Sequence, residues 1–245
     1  MRIAAVQCRA IYDDATHACE TIVRRLRWAT TEAIDLLLFP EAFLLGHSYD
    51  PTTIRSRAQQ ASSAALAALC RQVAAFPATV VVGAFHMAGP HTLNRAFVIE
   101  GGRIAGQYDK AYPNEPGVRA GSNFPTFVRA GVRYGINICN DANHAEPAEQ
   151  LARQGAELIL YPLNNMLPAT TADRWRTKSL DNLIDRARQT GCWVASSDVT
   201  GMCDSLICYG CTAVVTPDGR VVARVPEFEE GVAIFDIGAR QTRPG

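Results

Sequence analysis

Two hydrophobic rhythms alternate along this chain. Short apolar runs rich in Val, Ile and Leu read as strands, and longer stretches with apolar residues every three or four positions read as helices. The chain opens on a strand, Met1-Arg2-Ile3-Ala4-Ala5-Val6-Gln7. Between about Ala15 and Ile34 the residues Ala18, Ile22, Leu26 and Ala29 then share one helical face. A strand over Leu36 to Phe39 and an alanine-rich helix from Ser56 to Ala75 follow. Ala78 to Phe85 and Arg95 to Glu100 read as strands, and Gly101-Gly102 turns the chain into Arg103 to Asp109. Tyr112 to Pro125, with three prolines and two glycines, is a loop long enough to cover a working site. The alternation resumes with a strand over Val132 to Ile138, a helix from about Pro147 to Gln154, a strand over Leu158 to Tyr161 and a helix from Asp173 to Thr190. It ends with strands over Cys192 to Ser197, Gly210 to Thr216, Arg220 to Arg224 and Val232 to Ile237. Hairpins mixed with crossover helices predict a layered α/β sandwich with its helices outside.

Size and charge restrict what such a sandwich does. A chain of 245 residues, 48% hydrophobic and undivided by any Pro/Gly/Ser-rich stretch, is expected to fold as one domain over residues 1–245. Basic and acidic residues both number 24, so no long-range field gathers phosphate backbones or anionic lipid. Nucleic acid and membrane are not expected partners. The N-terminus starts at once on a strand, and no apolar run reaches the roughly 20 residues that cross a bilayer, so a cytoplasmic location is expected. Eight cysteines are too dilute for a disulfide framework, and free thiols are expected. Cys8, Cys19, Cys70 and Cys192 lie inside apolar or helical patterns and read as core or near-core residues.

Three of the strands end on chemistry. Leu36-Leu37-Leu38-Phe39-Pro40 runs into Glu41, Gly106-Gln107-Tyr108-Asp109 into Lys110, and Tyr134-Gly135-Ile136-Asn137-Ile138 into Cys139. Singly, each residue reads as an exposed charge or a buried thiol. Jointly they offer a base, a cation and a nucleophile. Attack by sulfur on an amide or nitrile carbon needs a proton acceptor, which Glu41 supplies. It also needs stabilisation of the developing negative charge, which Lys110 and the backbone N–H of Asn140 supply.

With these stretches the chain resembles the nitrilase superfamily of carbon-nitrogen hydrolases. Its Glu-Lys-Cys signature falls on Phe39-Pro40-Glu41, Tyr108-Asp109-Lys110 and Ile138-Cys139-Asn140-Asp141. Gly155-Ala156-Glu157-Leu158-Ile159-Leu160-Tyr161-Pro162, Trp175, Arg186-Ala187 and Thr216-Pro217-Asp218-Gly219 extend the likeness over nearly the whole chain. The resemblance implies a four-layer α-β-β-α sandwich, no cofactor, a homodimer or higher homo-oligomer, and a supporting catalytic role for Glu115. Asn140-Asp141 after the cysteine places the chain on the amide and N-carbamoyl side, so a small-molecule linear amide or N-carbamoyl substrate is expected. A nitrilase, acyl transfer to an amine, and a non-catalytic binding scaffold are the alternatives. Asn143 and His144 depart from the family's aromatic-Pro-Glu ending and are candidates for substrate contact, as are Asn140 and the strand-end pair Asn164 and Asn165. Cys203, Cys208 and Cys211 offer one CxxC spacing, at Cys208 and Cys211, but no second pair and no nearby histidine for the four ligands of a structural zinc site, so no metal is expected and they read as loop thiols.

Overall fold

The computed structural model describes residues 1–238. Alternation within the strands decides what each sheet face meets. In the strand Arg2–Arg9, Ile3 and Ala5 join an apolar layer shared with Tyr134, Ile136, Leu158 and Leu160. Ala4, Val6 and Cys8 point the other way, onto Ile22, Leu26 and Leu69. Leu158 and Leu160 likewise face inward, while Ile159 and Tyr161 pack against Leu151, Leu183 and Ala187. The outcome is helix, sheet, sheet, helix, the expected four-layer α-β-β-α sandwich.

Both sheets are built from crossover units. In the larger, nine-stranded sheet, Arg2–Arg9, Leu36–Leu38 and Thr79–Ala88 run parallel, linked through the helices Ala15–Thr31, Pro51–Gln60 and Leu66–Val73. His91–Glu100 and Arg103–Asp109 then extend it antiparallel. In the six-stranded sheet, Val132–Ile136, Leu158–Pro162 and Trp193–Ser197 run parallel through the helices Ala145–Arg153 and Ala169–Thr190. Parallel strands with crossovers gather their C-terminal ends along one edge, where α/β sheets place their ligands. Glu41, Cys139 and Asn164 follow three such ends.

Several elements differ from the pattern reading. The second helix begins at Pro51 rather than Ser56. The Asp50 carboxylate caps it by accepting from the Thr53 N–H, and Pro51 fits the first turn, where no N–H partner is needed. A π-turn over Ala61–Ala65 splits it from Leu66–Val73. Short strands at Thr126–Arg129, Leu167–Pro168, Val199–Cys203 and Leu206–Cys208 carry too little alternation to be read in advance. Cys203 and Cys208 therefore lie on a paired hairpin instead of a loop, and among the described residues no disulfide joins any of the eight cysteines. Among the described residues, no helix is long and apolar enough to cross a membrane.

Candidate active site

Glu41 sits on a tight turn after the strand Leu36–Leu38, held by Phe39 N–H donating to the Val81 carbonyl and Leu44 N–H to the Gly83 carbonyl. The turn presses directly on Gly83: a Cβ there would lie 2.6 Å from the Ala42 nitrogen. Glu41 N–H also donates to the Leu163 carbonyl, which ties the turn to the other sheet. Its carboxylate is buried. Oε1 accepts from Lys110 Nζ at 2.7 Å and Asn94 Nδ2 at 2.8 Å, while Oε2 has no hydrogen-bond partner among the described residues.

Lys110 is buried between two carboxylates, Glu41 and Glu115, the second at 2.8 Å. Burial works against the ammonium, but the two carboxylates outweigh it and hold Lys110 well above its ordinary range. Glu115 is opposed by burial too, yet the hydrogen bond with His47 at 2.9 Å and the Lys110 charge keep its carboxyl well below the usual range. Asn94 bridges both carboxylates through Nδ2, 2.8 Å from Glu41 and 2.7 Å from Glu115. Glu41, His47 and Glu115 bring ligand atoms within 4.8 Å of one another, a donor set suited to a cation. Lys110 Nζ already bonds both carboxylates, so an ammonium meets their charge.

Cys139 opens the short 3-10 turn Cys139–Asn143 with φ of 41°, a conformation that costs a non-glycine residue on the order of 1 kcal/mol or more. Asp141 supports the turn. Its carboxylate accepts from Ile138 N–H, Tyr112 N–H and Tyr108 Oη, each at 2.8 Å. Since Tyr108 and Tyr112 flank Lys110, Asp141 joins the thiol's turn to the cation's strand end. The Cys139 thiol is pushed well above its ordinary range by burial first and the Glu41 charge second, with Lys110 and the Asn164 backbone opposing. It is a thiol at rest.

A cavity of about 190 Å³ opens on Cys139. Asn140, Asn143, Asn164 and Asn165 all line it, together with Tyr49, Trp175 and Asn182. His144 does not. Its ring stacks on Tyr112 with centroids 3.8 Å apart, because the turn held by Asp141 carries it to the outer side of the loop. Sequence reasoning missed Asn94, His47, Asp141's anchoring role and Asn182. For Asn94, a polar residue inside the apolar strand His91–Glu100 was the available signal, since a buried amide needs partners.

Comparison with known proteins agrees with this geometry. A family model described as carbon-nitrogen hydrolase matches residues 2–244. The glutamine-dependent NAD(+) synthetase of Xanthomonas campestris pv. campestris is 30% identical over 258 residues, covering 98% of this chain and 44% of that protein. An (R)-stereoselective amidase from Pseudomonas sp. is 28% identical over 201 residues, 80% of this chain and 69% of the amidase. The chain thus spans less than half the length of the synthetases it matches. A solved amidase from Nesterenkonia sp. superposes with a TM-score of 0.85 at 24% identity, over 98% of this chain and 90% of that one. A mutant of the Nesterenkonia sp. AN1 amidase, with acrylamide added to its active-site cysteine, gives 0.83 at 25% identity over 98% and 94%.

Proposed function

The chain belongs to the carbon-nitrogen hydrolase family, and from that premise we propose that it hydrolyses a small linear amide or N-carbamoyl compound through a thioester on Cys139. The observation that carries this reading is the buried cluster of Glu41, Lys110 and Glu115 beside a thiol that burial and Glu41 keep protonated. A protonated thiol needs a base at the moment of attack. Glu41 Oε1 is committed to Lys110 and Asn94, which leaves Oε2 for the proton.

Sulfur attacks the carbonyl carbon as its proton passes to Glu41. The oxygen gains negative charge, which the Lys110 ammonium and the Asn140 backbone N–H stabilise; one such donor typically lowers the barrier by about 3 kcal/mol. Glu41 returns the proton to the departing nitrogen, and ammonia or an amine leaves. Water, deprotonated by Glu41, then cleaves the thioester to the acid and restores the thiol. Glu115 and Asn94 hold Lys110 and Glu41 in register throughout.

Similarity to the synthetases favours a second reading, in which the amide cleaved is that of glutamine. Ammonia release by wild type and Cys139→Ala across amides, N-carbamoyl amino acids, glutamine and nitriles tests the proposal. Cys139-dependent release from amides or N-carbamoyl compounds supports it, whereas turnover of nitriles alone, or full activity in Cys139→Ala, contradicts it.

A further inference from the structure

The cavity beside Cys139 carries a row of amides that bond cleavage itself does not require. Asn182 Nδ2 donates to Asn143 Oδ1 at 2.6 Å, Asn143 Nδ2 to Asn140 Oδ1 at 2.7 Å, and Asn140 Nδ2 to the Tyr112 carbonyl at 2.9 Å. A backbone carbonyl only accepts, so the last link fixes how Asn140 is turned, and each amide then fixes the next. What remains is one N–H on each of the three, Oδ1 of Asn182, and a second lone pair on Oδ1 of Asn140 and of Asn143. Asn165 is fixed in the same way. Its Nδ2 and backbone N–H both donate to the buried Asp198 carboxylate, at 2.7 and 3.1 Å, which leaves its Oδ1 as an acceptor.

Among the described residues, none that lines this cavity is charged. Arg174, Arg176 and Lys178, beside Trp175 on the helix Ala169–Thr190, lie outside the lining, and the last two are engaged with Glu227 and with the Trp175 ring. A carboxylate tail held here would lose water without meeting a cation. A neutral group with an N–H or O–H and an oxygen would find both kinds of partner already oriented. Resting on the amidohydrolase reading above, we infer that the substrate's acyl tail is uncharged and ends in a group that both donates and accepts hydrogen bonds, such as a second carboxamide or a hydroxyl. Asn143 and Asn182 read that group. With a diamide, one carboxamide loses its nitrogen as ammonia, gains oxygen from water and becomes a carboxylic acid, while the other stays intact in the tail site.

Succinamide and succinamate differ only in NH₂ against O⁻ at the far end, so the pair isolates the charge of the tail. Ammonia release is measured for wild type on this pair, on glutamine and on butyramide, with Cys139→Ala as control. The expected kcat/KM for succinamide exceeds those for succinamate and glutamine by about tenfold or more. Asn182→Leu is expected to shrink the preference for succinamide over butyramide by about tenfold, and Asn182→Arg to shift preference toward succinamate. Cys139-dependent turnover in which succinamate or glutamine equals or exceeds succinamide overturns the inference and leaves the hydrolase in place, as does a preference unmoved in both Asn182 variants. Ammonia from none of these compounds also overturns the inference, and equal release by Cys139→Ala overturns the hydrolase reading beneath it.

Discussion

Lys110 buries its whole side chain between Glu41 and Glu115, so removing its charge would strand two carboxylates away from water. Breaking a buried ion pair from one side typically costs about 3–5 kcal/mol. Lys110→Met is therefore expected to lower the unfolding free energy by that order and to abolish turnover, as followed by urea denaturation and ammonia release. An unchanged denaturation midpoint would contradict the ion-pair account. At this scale the site was partly legible. Glu41, Lys110 and Cys139 stood out because three strand ends carried complementary chemistry, and Glu115 was implied by the family likeness. Asn94 and His47 were not, since a single polar residue in a strand or after a turn carries no sign of its partners until the chain is folded. His144 was misplaced for the converse reason: its position beside the nucleophile turn is close in sequence, but its ring is drawn to Tyr112.

At the scale of elements, the turn that carries Glu41 depends on a glycine in its neighbour strand. A methyl group at position 83 would meet the Ala42 nitrogen at 2.6 Å, a backbone contact that is relieved only if the turn or the strand shifts. Gly83→Ala is expected to displace Glu41 and lower kcat by about tenfold to a hundredfold, in keeping with the sensitivity of catalysis to ~1 Å misplacement. Circular dichroism should show the fold retained, and an unchanged kcat would refute the packing argument. The long elements were readable from their periodicity, because strands and helices with one buried face must repeat apolar residues on that face. The hairpin Val199–Cys203 and Leu206–Cys208 was not, as its pairing is settled by contact with Arg2–Arg9 and Leu167–Pro168 rather than by its own pattern.

Over the whole molecule, two buried carboxyls link folding to pH. Burial raises Asp141 and Asp198 to about 6, against about 3.9 for an unfolded chain. The native state thus holds protons that the unfolded chain has lost between about pH 4 and 6, so these groups make stability fall as pH rises through that window, by up to about 3 kcal/mol each. Glu115, held low, acts in the opposite sense, its stabilisation lost only as pH falls below about 4.3. Denaturation midpoints between pH 4.5 and 6.5 are expected to decline less steeply for Asp198→Asn than for wild type; equal slopes would show that Asp198 does not hold its proton there. The four-layer sandwich brings Glu41, Lys110 and Cys139 together from separate strand ends, and the proposed function uses them as base, cation and nucleophile. Intact and peptide mass spectrometry of protein quenched during turnover of succinamide and of a simple aliphatic amide tests that claim most directly. An acyl mass increment is expected on the peptide containing Cys139 and none in Cys139→Ala; ammonia release that persists in Cys139→Ala without any such adduct would overturn the thioester mechanism.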